Sequence, residues 1–394
     1  MKLAHLTTSD ISLELLLGHQ LRAFQAAGFD VTAISGDGPW IEALQAAGIR
    51  HLTVPTLRRS WAPLADVRAC TVLTGILRRE RFDIVHTHNP KTGVFGRIAA
   101  RLVGTPVVVN TVHGLYGTDG GAVRRAMYLG LERLASACSD FEFCQSREDL
   151  QMLRRLGIAR PDRSAFIGNG VNLTVFDPDA VDRSVARAAL GIDAATTVVG
   201  TIGRLVWEKG YREFFAMAER VRARRPGVCF IAVGPRDDGK ADAVPQRVTA
   251  DLERRGIVRF MGLRTDLPAL YRAMDIFVLP SYREGFPRSA VEAAAMGLPL
   301  VLTDVRGCRE VVTGGRNGLL VQARDADALE EAVLSLLDAP DLRRKFGEAN
   351  RQKALAEFDE RRIIDQILGV YRTLLVEKSG RAVDGIGQEG ISGR

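Results

Sequence analysis

Two glutamates frame a segment whose composition suits an anionic ligand. Glu284 and Glu292 begin and end EGFPRSAVE (284–292), shortly after an apolar run. Pro287 fits the first position of a helix, where its missing N–H needs no partner. The free N–H group of Arg288 and the positive end of the helix dipole then face whatever lies beyond the apolar strand. This segment therefore predicts a phosphate site.

The same two carboxylates are suited to bind sugars. A carboxylate accepts two hydrogen bonds from vicinal hydroxyls. One glutamate could hold a ribose and the other a hexose, with a diphosphate between them at the helix end. The alternative is that Glu284 is an incidental loop residue and that Glu292 lies at the surface or at the edge of the core.

A second segment, GTIGRLVWEKG (200–210), supplies cations at a turn between a predicted strand and a predicted helix. Gly203 allows close backbone approach, and Arg204 and Lys209 place two positive charges where doubly wound sheets bind phosphates. The segment lacks the GxxxxGK[ST] pattern of a P-loop. An exposed Arg and Lys beside an ordinary tight turn is the alternative.

Polar side chains also follow several predicted strands in the first half of the chain. Each could contact an acceptor or a donor sugar, and each taken singly is more often structural. Asp10, for example, equally fits the N-cap of a helix starting near Ser12. The candidates are His113 in VNTVHGLYG (109–117), His88, Asn89 and Lys91 in HTHNPKTG (86–93), and Asp10 after the first strand.

Composition narrows the class of protein. The 394 residues carry 54 Lys and Arg against 47 Asp and Glu, a formal charge of +7. The excess is spread evenly, which argues against a nucleic-acid-binding tail. The five cysteines lack C-x-x-C spacing and indicate free thiols. Because no apolar run reaches transmembrane length, we expect a cytoplasmic protein, soluble or peripheral at the membrane.

Short β-branched runs alternate with longer amphipathic stretches from the first residue, as in βαβ units around parallel sheets. We therefore predict an α/β protein of two doubly wound, Rossmann-like domains, with ligands at the carboxyl ends of the strands and in a cleft between the domains. The predicted strands are 2–6, 29–34, 51–54, 83–87, 106–112, 141–144, 164–167, 197–203, 228–234, 257–261, 275–280 and 299–303.

Taken together, these segments resemble a known family. EGFPRSAVE is similar to the E-x7-E motif of the retaining GT-B glycosyltransferases of family 4, and the resemblance extends over about residues 1 to 375. Members linked to bacterial surface polysaccharides look nearest. The other matching segments, in the family's order, are VHG (112–114), FIGNGVN (166–172), GRLVWEKG (203–210), FMGLRTDLPALY (260–271) and GRNGLLV (315–321).

The resemblance implies a role for each matching residue. Arg204 and Lys209 would hold the donor diphosphate, Glu292 the nucleotide ribose and Glu284 the donor sugar, and these residues except Glu292 would act in catalysis with His113. The implied donor site comprises Gly203, Arg204, Lys209, Leu263, Arg264, Glu284, Gly285, Phe286, Pro287, Arg288 and Glu292. The implied acceptor side comprises Asp10, His88, Asn89 and Lys91.

The resemblance also implies a reaction. A hexosyl group would pass from a UDP- or GDP-linked sugar to a hydroxyl of a saccharide or lipid-linked acceptor, with retention and without a metal. The leaving phosphate would accept the proton, and the basic surface would suit the inner face of the membrane. The implied domains are 1–175 for the acceptor, 176–360 for the donor, a helix at 361–378 that crosses back to the N-terminal domain, and a disordered tail at 379–394.

Two other functions stay open at this point. A nucleotide-sugar epimerase of the same fold would use the donor without an acceptor, and a non-catalytic subunit would bind nucleotide sugars without turnover. A metal-dependent transferase of another fold needs a D-x-D motif after a strand. However, DPD (177–179) lies at the domain boundary and DAD (325–327) at a predicted helix start.

Overall fold

The structure is a computed structural model that describes residues 1–58, 62–88, 90–115, 121–237 and 239–379. By its contacts the chain forms two compact units. One contains Met1–Ile167 together with the residues from Arg362 onward, and the other contains Gly168–Arg361. Apart from Ser379, the tail predicted at 379–394 lies outside the described residues.

The first unit is built on a parallel sheet of seven strands. They are β1 (Lys2–Leu6), β2 (Asp30–Ser35), β3 (Arg50–Thr53), β4 (Ile84–His88), β5 (Val107–Val112), β6 (Phe141–Cys144) and β7 (Ser164–Phe166). The order across the sheet is β3-β2-β1-β4-β5-β6-β7, so the direction of winding reverses between β1 and β4. This reversal is the position at which doubly wound sheets open a crevice.

Helices connect these strands after a π-helical turn at Ser12–Leu16. Local signals fix their ends: α3 begins with a proline, and the Ser146 hydroxyl caps α6 by accepting from the Asp149 N–H. The helices are α1 (Gly18–Ala26), α2 (Ile41–Ala46), α3 (Pro63–Glu80), α4 (Pro90–Leu102), α5 (Ala122–Ser136) and α6 (Arg147–Arg155).

The second unit repeats this arrangement with a six-stranded parallel sheet. Its strands are β8 (Thr197–Ile202), β9 (Val228–Val233), β10 (Arg259–Phe260), β11 (Ile276–Leu279), β12 (Leu300–Thr303) and β13 (Gly318–Val321). Their order is β10-β9-β8-β11-β12-β13, with the reversal between β8 and β11. Its helices are α7 (Arg183–Ala189), α8 (Tyr211–Arg224), α9 (Gln246–Arg254), α10 (Leu267–Ala273), α11 (Arg288–Ala295), α12 (Arg306–Val311), α13 (Ala326–Leu337) and α14 (Pro340–Glu357).

The last helix, α15 (Glu360–Ser379), leaves the second unit and packs on the sheet of the first. Its apolar residues Ile363, Ile367, Tyr371 and Leu374 recur at helical spacing and join the buried cluster around Leu3. The helix therefore completes the core of the first unit.

The α/β class and the two doubly wound sheets are confirmed. The predicted strands omit β13, a four-residue strand at the edge of the sheet that pairs with β12.

Candidate active site

Two loops meet where the winding of the second sheet reverses. Strands β8 and β11 are direct neighbours, with Val199 beside Ile276 and Gly200 beside Phe277. In parallel neighbours the carboxyl ends lie at the same edge, so the loops after residue 202 and after residue 279 leave the sheet together. These loops contain the two segments that the sequence predicted to bind a phosphorylated ligand.

Backbone contacts hold the turn after β8 against the loop after β11. Gly210 has a φ of +75°, and a Cβ atom there would lie 1.9 Å from the Pro280 carbonyl oxygen. The Tyr282 N–H donates to the Glu208 carbonyl over 2.9 Å. Only glycine fits at position 210, because both the backbone angle and the space exclude a side chain.

A second glycine, Gly234, allows the backbone to approach the end of β8 closely, and it was not predicted from the sequence. A Cβ atom on Gly234 would lie 2.0 Å from the Gly203 carbonyl oxygen, whereas one on Gly203 itself would meet only the Lys209 side chain, at 3.8 Å. Gly234 follows β9, so its position after a neighbouring strand was the available signal.

An ion pair joins the two segments directly. The Lys209 Nζ lies 2.6 Å from the Glu284 Oε1, and the Glu284 side chain is only 8% exposed. The Glu284 carbonyl accepts from the Gly307 N–H at the start of α12 over 3.3 Å. A cation and a carboxylate that lie 75 residues apart in sequence thus share one position at the winding reversal.

Arg204 lies in a network of charged groups. Its guanidinium contacts the Asp237 carboxylate at 2.5 Å and the Glu208 carboxylate at 3.5 Å. Burial alone would raise the pKa of Glu208, but hydrogen bonds and charges from Lys240 and Arg283 outweigh it and lower this pKa to about 2. The sequence indicates Arg204 but neither of its acidic partners, because a single Asp or Glu in a charged loop carries no distinguishing pattern.

Glu292 is buried inside α11, where two residues fix its carboxylate. The Arg288 Nε donates to Oε1 and the Tyr271 hydroxyl donates to Oε2, both over 2.9 Å. Burial and the neighbouring carboxylate raise the pKa of Tyr271, so the phenol stays protonated and remains a donor. Tyr271 lies in the FMGLRTDLPALY segment but was not predicted as a site residue.

The start of α11 retains the features of an anion site. Pro287 is the N-cap, and within the described chain no side chain caps the first amides of this helix. Phe286, just before it, is buried against Phe358, and its carbonyl lies 3.5 Å from the Asn169 side-chain amide. Gly285 lies close to Gly307, on which a Cβ atom would come within 2.5 Å of the Gly285 carbonyl.

The predicted base loop lies after β10. Leu263 is half exposed, and the Arg264 guanidinium pairs with the Asp266 carboxylate at 2.5 Å. The preceding Gly262 accepts from the Gly234 N–H over 2.8 Å, which connects this loop to the end of β9.

The remaining candidates lie in the first unit. The buried Asp10 carboxylate accepts from the Trp40 N–H over 2.7 Å and caps no helix of its own. Lys91 is buried, pairs with the Asp66 carboxylate and donates to the Arg58 carbonyl. His88 and His113 lie 3.0 Å apart in a buried histidine cluster. Asn89 lies outside the described residues.

Three buried histidines of the first unit are close enough to hold a metal ion. One ring nitrogen from each of His5, His86 and His88 lies within 4.8 Å of the others. Every ring nitrogen of the three already has a protein partner. The two D-x-D matches are structural, since Asp177 and Asp325 each accept from backbone N–H groups at a helix start.

Comparison with known proteins identifies the family of both units. Residues 16–170 match the glycosyl transferase 4-like domain, and residues 196–339 match glycosyl transferases group 1. No helix of the described residues is both long enough and apolar enough to span a bilayer.

Sequence relatives extend over most of the chain. A UDP-Gal:alpha-D-GlcNAc-diphosphoundecaprenol alpha-1,3-galactosyltransferase of Escherichia coli is 30% identical over 355 residues, 89% of this chain and 90% of the relative. An N,N'-diacetylbacillosaminyl-diphospho-undecaprenol alpha-1,3-N-acetylgalactosaminyltransferase of Campylobacter jejuni is 27% identical over 361 residues, 89% and 93% of the two chains.

Solved structures of glycosyltransferases share the fold. A sucrose-phosphate synthase of Thermosynechococcus elongatus superposes with a TM-score of 0.80 at 22% identity, over 96% of this chain and 100% of that one. HepE of Anabaena in complex with UDP-glucose gives 0.78 at 22% identity, over 95% and 100%. With these sequence relatives, two matching domains and this shared fold, the chain belongs to the family 4 glycosyltransferases of GT-B fold.

Proposed function

We propose that this glycosyltransferase moves a hexosyl group from a UDP-linked donor to a hydroxyl of a lipid-linked saccharide, with retention of configuration. The observation that carries the proposal is the 2.6 Å contact between Lys209 and Glu284 at the winding reversal of the second sheet. It brings a lysine cation and a glutamate carboxylate to one point, next to the first turn of α11.

Arg204, Lys209 and the start of α11 bind the donor diphosphate in this proposal. As the bond to the sugar breaks, negative charge develops on the leaving phosphate, where fixed cations and helix amides stabilise it most. The leaving phosphate oxygen then accepts the proton of the acceptor hydroxyl. These two side-chain cations supply the charge that a metal ion would otherwise provide, so we propose a metal-independent reaction.

The two glutamates divide the donor between them. Glu292, braced by Arg288 and Tyr271, presents a fixed carboxylate to the ribose. Glu284 contacts the hydroxyls of the transferred sugar, after Lys209 has turned from its carboxylate to the donor diphosphate. The loop at Leu263 and Arg264 covers the base, and His113 lies beside the transferred sugar.

The names of the relatives support the donor and acceptor classes. The relatives of Escherichia coli and Campylobacter jejuni are both named for acceptors on diphosphoundecaprenol, and the former for a UDP-linked donor. HepE was solved with UDP-glucose. We therefore choose uridine over guanosine, and an isoprenoid diphosphate saccharide as the acceptor.

A lipid-linked acceptor requires access to a membrane, and α5 offers a surface for an anionic bilayer. Val123, Met127, Leu131 and Leu134 form an exposed apolar row at helical spacing, with Val123 84% exposed. At about 100° per residue, arginines at 124 and 133 lie on opposite sides of this row. Such a helix fits the boundary between headgroups and acyl chains.

Neighbouring helices extend the positive charge of this surface. Strands β3 to β7 follow one another in a single direction across the sheet, so right-handed crossovers place α3–α6 on one face. The only acidic residues on these helices that are not buried are Glu80 and Glu148, among the described residues. The arginines that are not buried are Arg68, Arg78, Arg79, Arg101, Arg124, Arg125, Arg133, Arg147, Arg154 and Arg155.

The test is a transfer assay with UDP-hexoses and a synthetic isoprenoid diphosphate saccharide, in which NMR reads the anomeric configuration of the product. We expect a product whose anomeric configuration matches that of the donor. An inverted product refutes retention. Conversion of the donor alone to an isomeric UDP-sugar supports the epimerase instead, and tight UDP binding without turnover supports the non-catalytic subunit.

A further inference from the structure

Three buried histidines of the first unit and the partly buried His113 form a continuous cluster with a tyrosine of α15. Register places His5 of β1 beside His86 of β4, and His88 is two residues further along β4 on the same face of the sheet. His113 directly follows β5, the next strand. Tyr371 reaches this face from α15 and is fully buried.

Hydrogen bonds link these side chains into one continuous hydrogen-bond chain. The His113 Nδ1 lies 3.1 Å from the Gln145 Oε1, and the His113 Nε2 lies 3.0 Å from the His88 Nδ1. The His88 Nε2 lies 2.9 Å from the His5 Nδ1, and the His5 Nε2 lies 3.4 Å from the Tyr371 hydroxyl.

The chain continues beyond the tyrosine. The same hydroxyl lies 2.5 Å from the His86 Nδ1, and the His86 Nε2 lies 2.7 Å from the Thr111 hydroxyl. A neutral imidazole has one N–H donor and one acceptor nitrogen, and a hydroxyl has one proton to donate. Each link therefore constrains the direction of the next.

We propose that the four histidines are neutral Nδ1–H tautomers in a single directed hydrogen-bond chain, through which Tyr371 positions the His113 ring. The amide oxygen of Gln145 only accepts, so His113 must donate from Nδ1 and accept at Nε2. His88 and then His5 must do the same, which leaves the His5 Nε2 to accept from Tyr371. The tyrosine oxygen accepts from the His86 Nδ1–H, and the Thr111 hydroxyl donates to the His86 Nε2.

Burial agrees with this protonation pattern. Desolvation lowers the pKa of His5 to about 3 and that of His113 to about 4. It also lowers the pKa values of His86 and His88 well below the ordinary range. A proton added to His88 or His113 would convert an acceptor nitrogen into a donor and set two N–H donors against each other.

The hydrogen-bond chain gives α15 a role in the reaction. This role rests on the proposed function, in which His113 contacts the transferred sugar. A ring that is held at both nitrogens cannot rotate away from that contact. Tyr371, His5 and His88 are thus positioning residues rather than catalytic ones. Their effect is expected in kcat more than in the KM for the donor.

NMR of the histidine rings tests the proposed hydrogen-bond chain without an activity assay. The protein has six histidines, so the full-length variant His19→Gln/His51→Gln leaves only the four rings of the chain. Long-range 1H–15N spectra should show four neutral Nδ1–H tautomers that do not titrate between about pH 5.5 and 8. An Nε2–H tautomer, or a ring titrating near its ordinary pKa of 6.5, overturns the proposal whether or not the enzyme transfers sugar.

Tyr371→Phe in the otherwise native chain tests the positioning role. Loss of the hydroxyl should lower kcat about 5-fold with an unchanged donor KM, and should add an acidic limb to the pH profile. Leu374→Val, one helical turn further along α15, removes buried volume but no hydrogen bond and should leave kcat and the pH profile unchanged. A Tyr371→Phe enzyme with native kcat and pH profile overturns the positioning role.

Discussion

Lys209 pairs with the Glu284 carboxylate over 2.6 Å and, in our proposal, turns toward a phosphate when the donor binds. Both carboxylate and phosphate oxygens accept charge-assisted hydrogen bonds from an ammonium group. The two anions therefore compete for one cation. This competition separates the effect of Glu284 on nucleotide binding from its effect on sugar transfer.

Glu284→Gln tests that competition. The amide keeps the shape of the side chain but removes its charge, so Lys209 is free for the diphosphate. UDP affinity should stay equal or rise, whereas the rate of transfer should fall at least about 10-fold, because the contact with the donor sugar is weakened in the transition state. Calorimetry with UDP and a transfer assay give the two values.

Equal losses of UDP affinity and transfer rate in Glu284→Gln would mean that Glu284 stabilises the local structure rather than contacting the donor sugar. Glu348→Gln is a matched control, because Glu348 is exposed on α14 and, among the described residues, pairs only with a surface arginine, Arg344. It should change neither value.

At the scale of the elements, the turn after β8 depends on Gly210. A Cβ atom there would collide with the Pro280 carbonyl, so Gly210→Ala must move the turn away from the end of β11. We expect a lower melting temperature and weaker UDP binding, because Lys209 moves with the turn. Thermal unfolding and calorimetry measure the two effects.

Gly191→Ala is the matched control for this turn. Gly191 has a φ of +60°, but a Cβ atom there would have no neighbour within 4 Å. That variant should lose only about 1–2 kcal/mol of folding free energy, because alanine is strained in the left-handed conformation. It should bind UDP normally. If both variants bind UDP alike, the turn does not position the cations.

A buried charge cluster fixes α4 and α5 to β6 in the first unit. Arg97 donates to Glu132 and Glu142, both over 2.6 Å, and all three side chains are buried. Burial raises the pKa of Glu142 in spite of the arginine. Because the folded pKa is raised, this carboxyl favours folding most at low pH and loses that contribution as pH rises through its folded pKa.

Arg97→Met should therefore destabilise the protein in a pH-dependent way. Two buried carboxylates remain without a cation at neutral pH, which costs about 3–5 kcal/mol. Protonation relieves the repulsion, so the difference in melting temperature from the native chain should narrow as pH falls toward 5. A difference that is constant with pH would show that lost packing volume, not charge, causes the instability.

At the scale of the whole molecule, the sequence predicted the two doubly wound sheets because their strands are continuous apolar runs between amphipathic helices. It also indicated the two segments that meet at the winding reversal of the second sheet, since cations, glycines and paired glutamates recur there at recognisable spacing. It did not predict Asp237, Tyr271 or Gly234 as part of the site. These residues reach it through strand order and side-chain contacts, which a linear pattern does not encode.

The proposed membrane surface predicts a selective loss of binding to anionic vesicles. Arg124→Gln/Arg125→Gln removes two charges from the exposed start of α5, each worth about 1 kcal/mol near such a surface. Sedimentation with phosphatidylglycerol vesicles at low salt should show about 30-fold weaker binding. The adjacent exposed pair Arg254 and Arg255 at the C-terminal end of α9 provides the matched control, and an equal loss in Arg254→Gln/Arg255→Gln would contradict the assignment to α5.

The central claim is that the turn after β8 and the start of α11 bind one diphosphate. Calorimetric titration of UDP and UMP tests it most directly, since the ligands differ only in the β-phosphate. The native chain should prefer UDP about 10- to 100-fold. Lys209→Ala should abolish most of that preference, and Lys345→Ala, an exposed lysine of α14, should leave it intact. An unchanged preference in Lys209→Ala, or equal losses for UDP and UMP, would contradict the account.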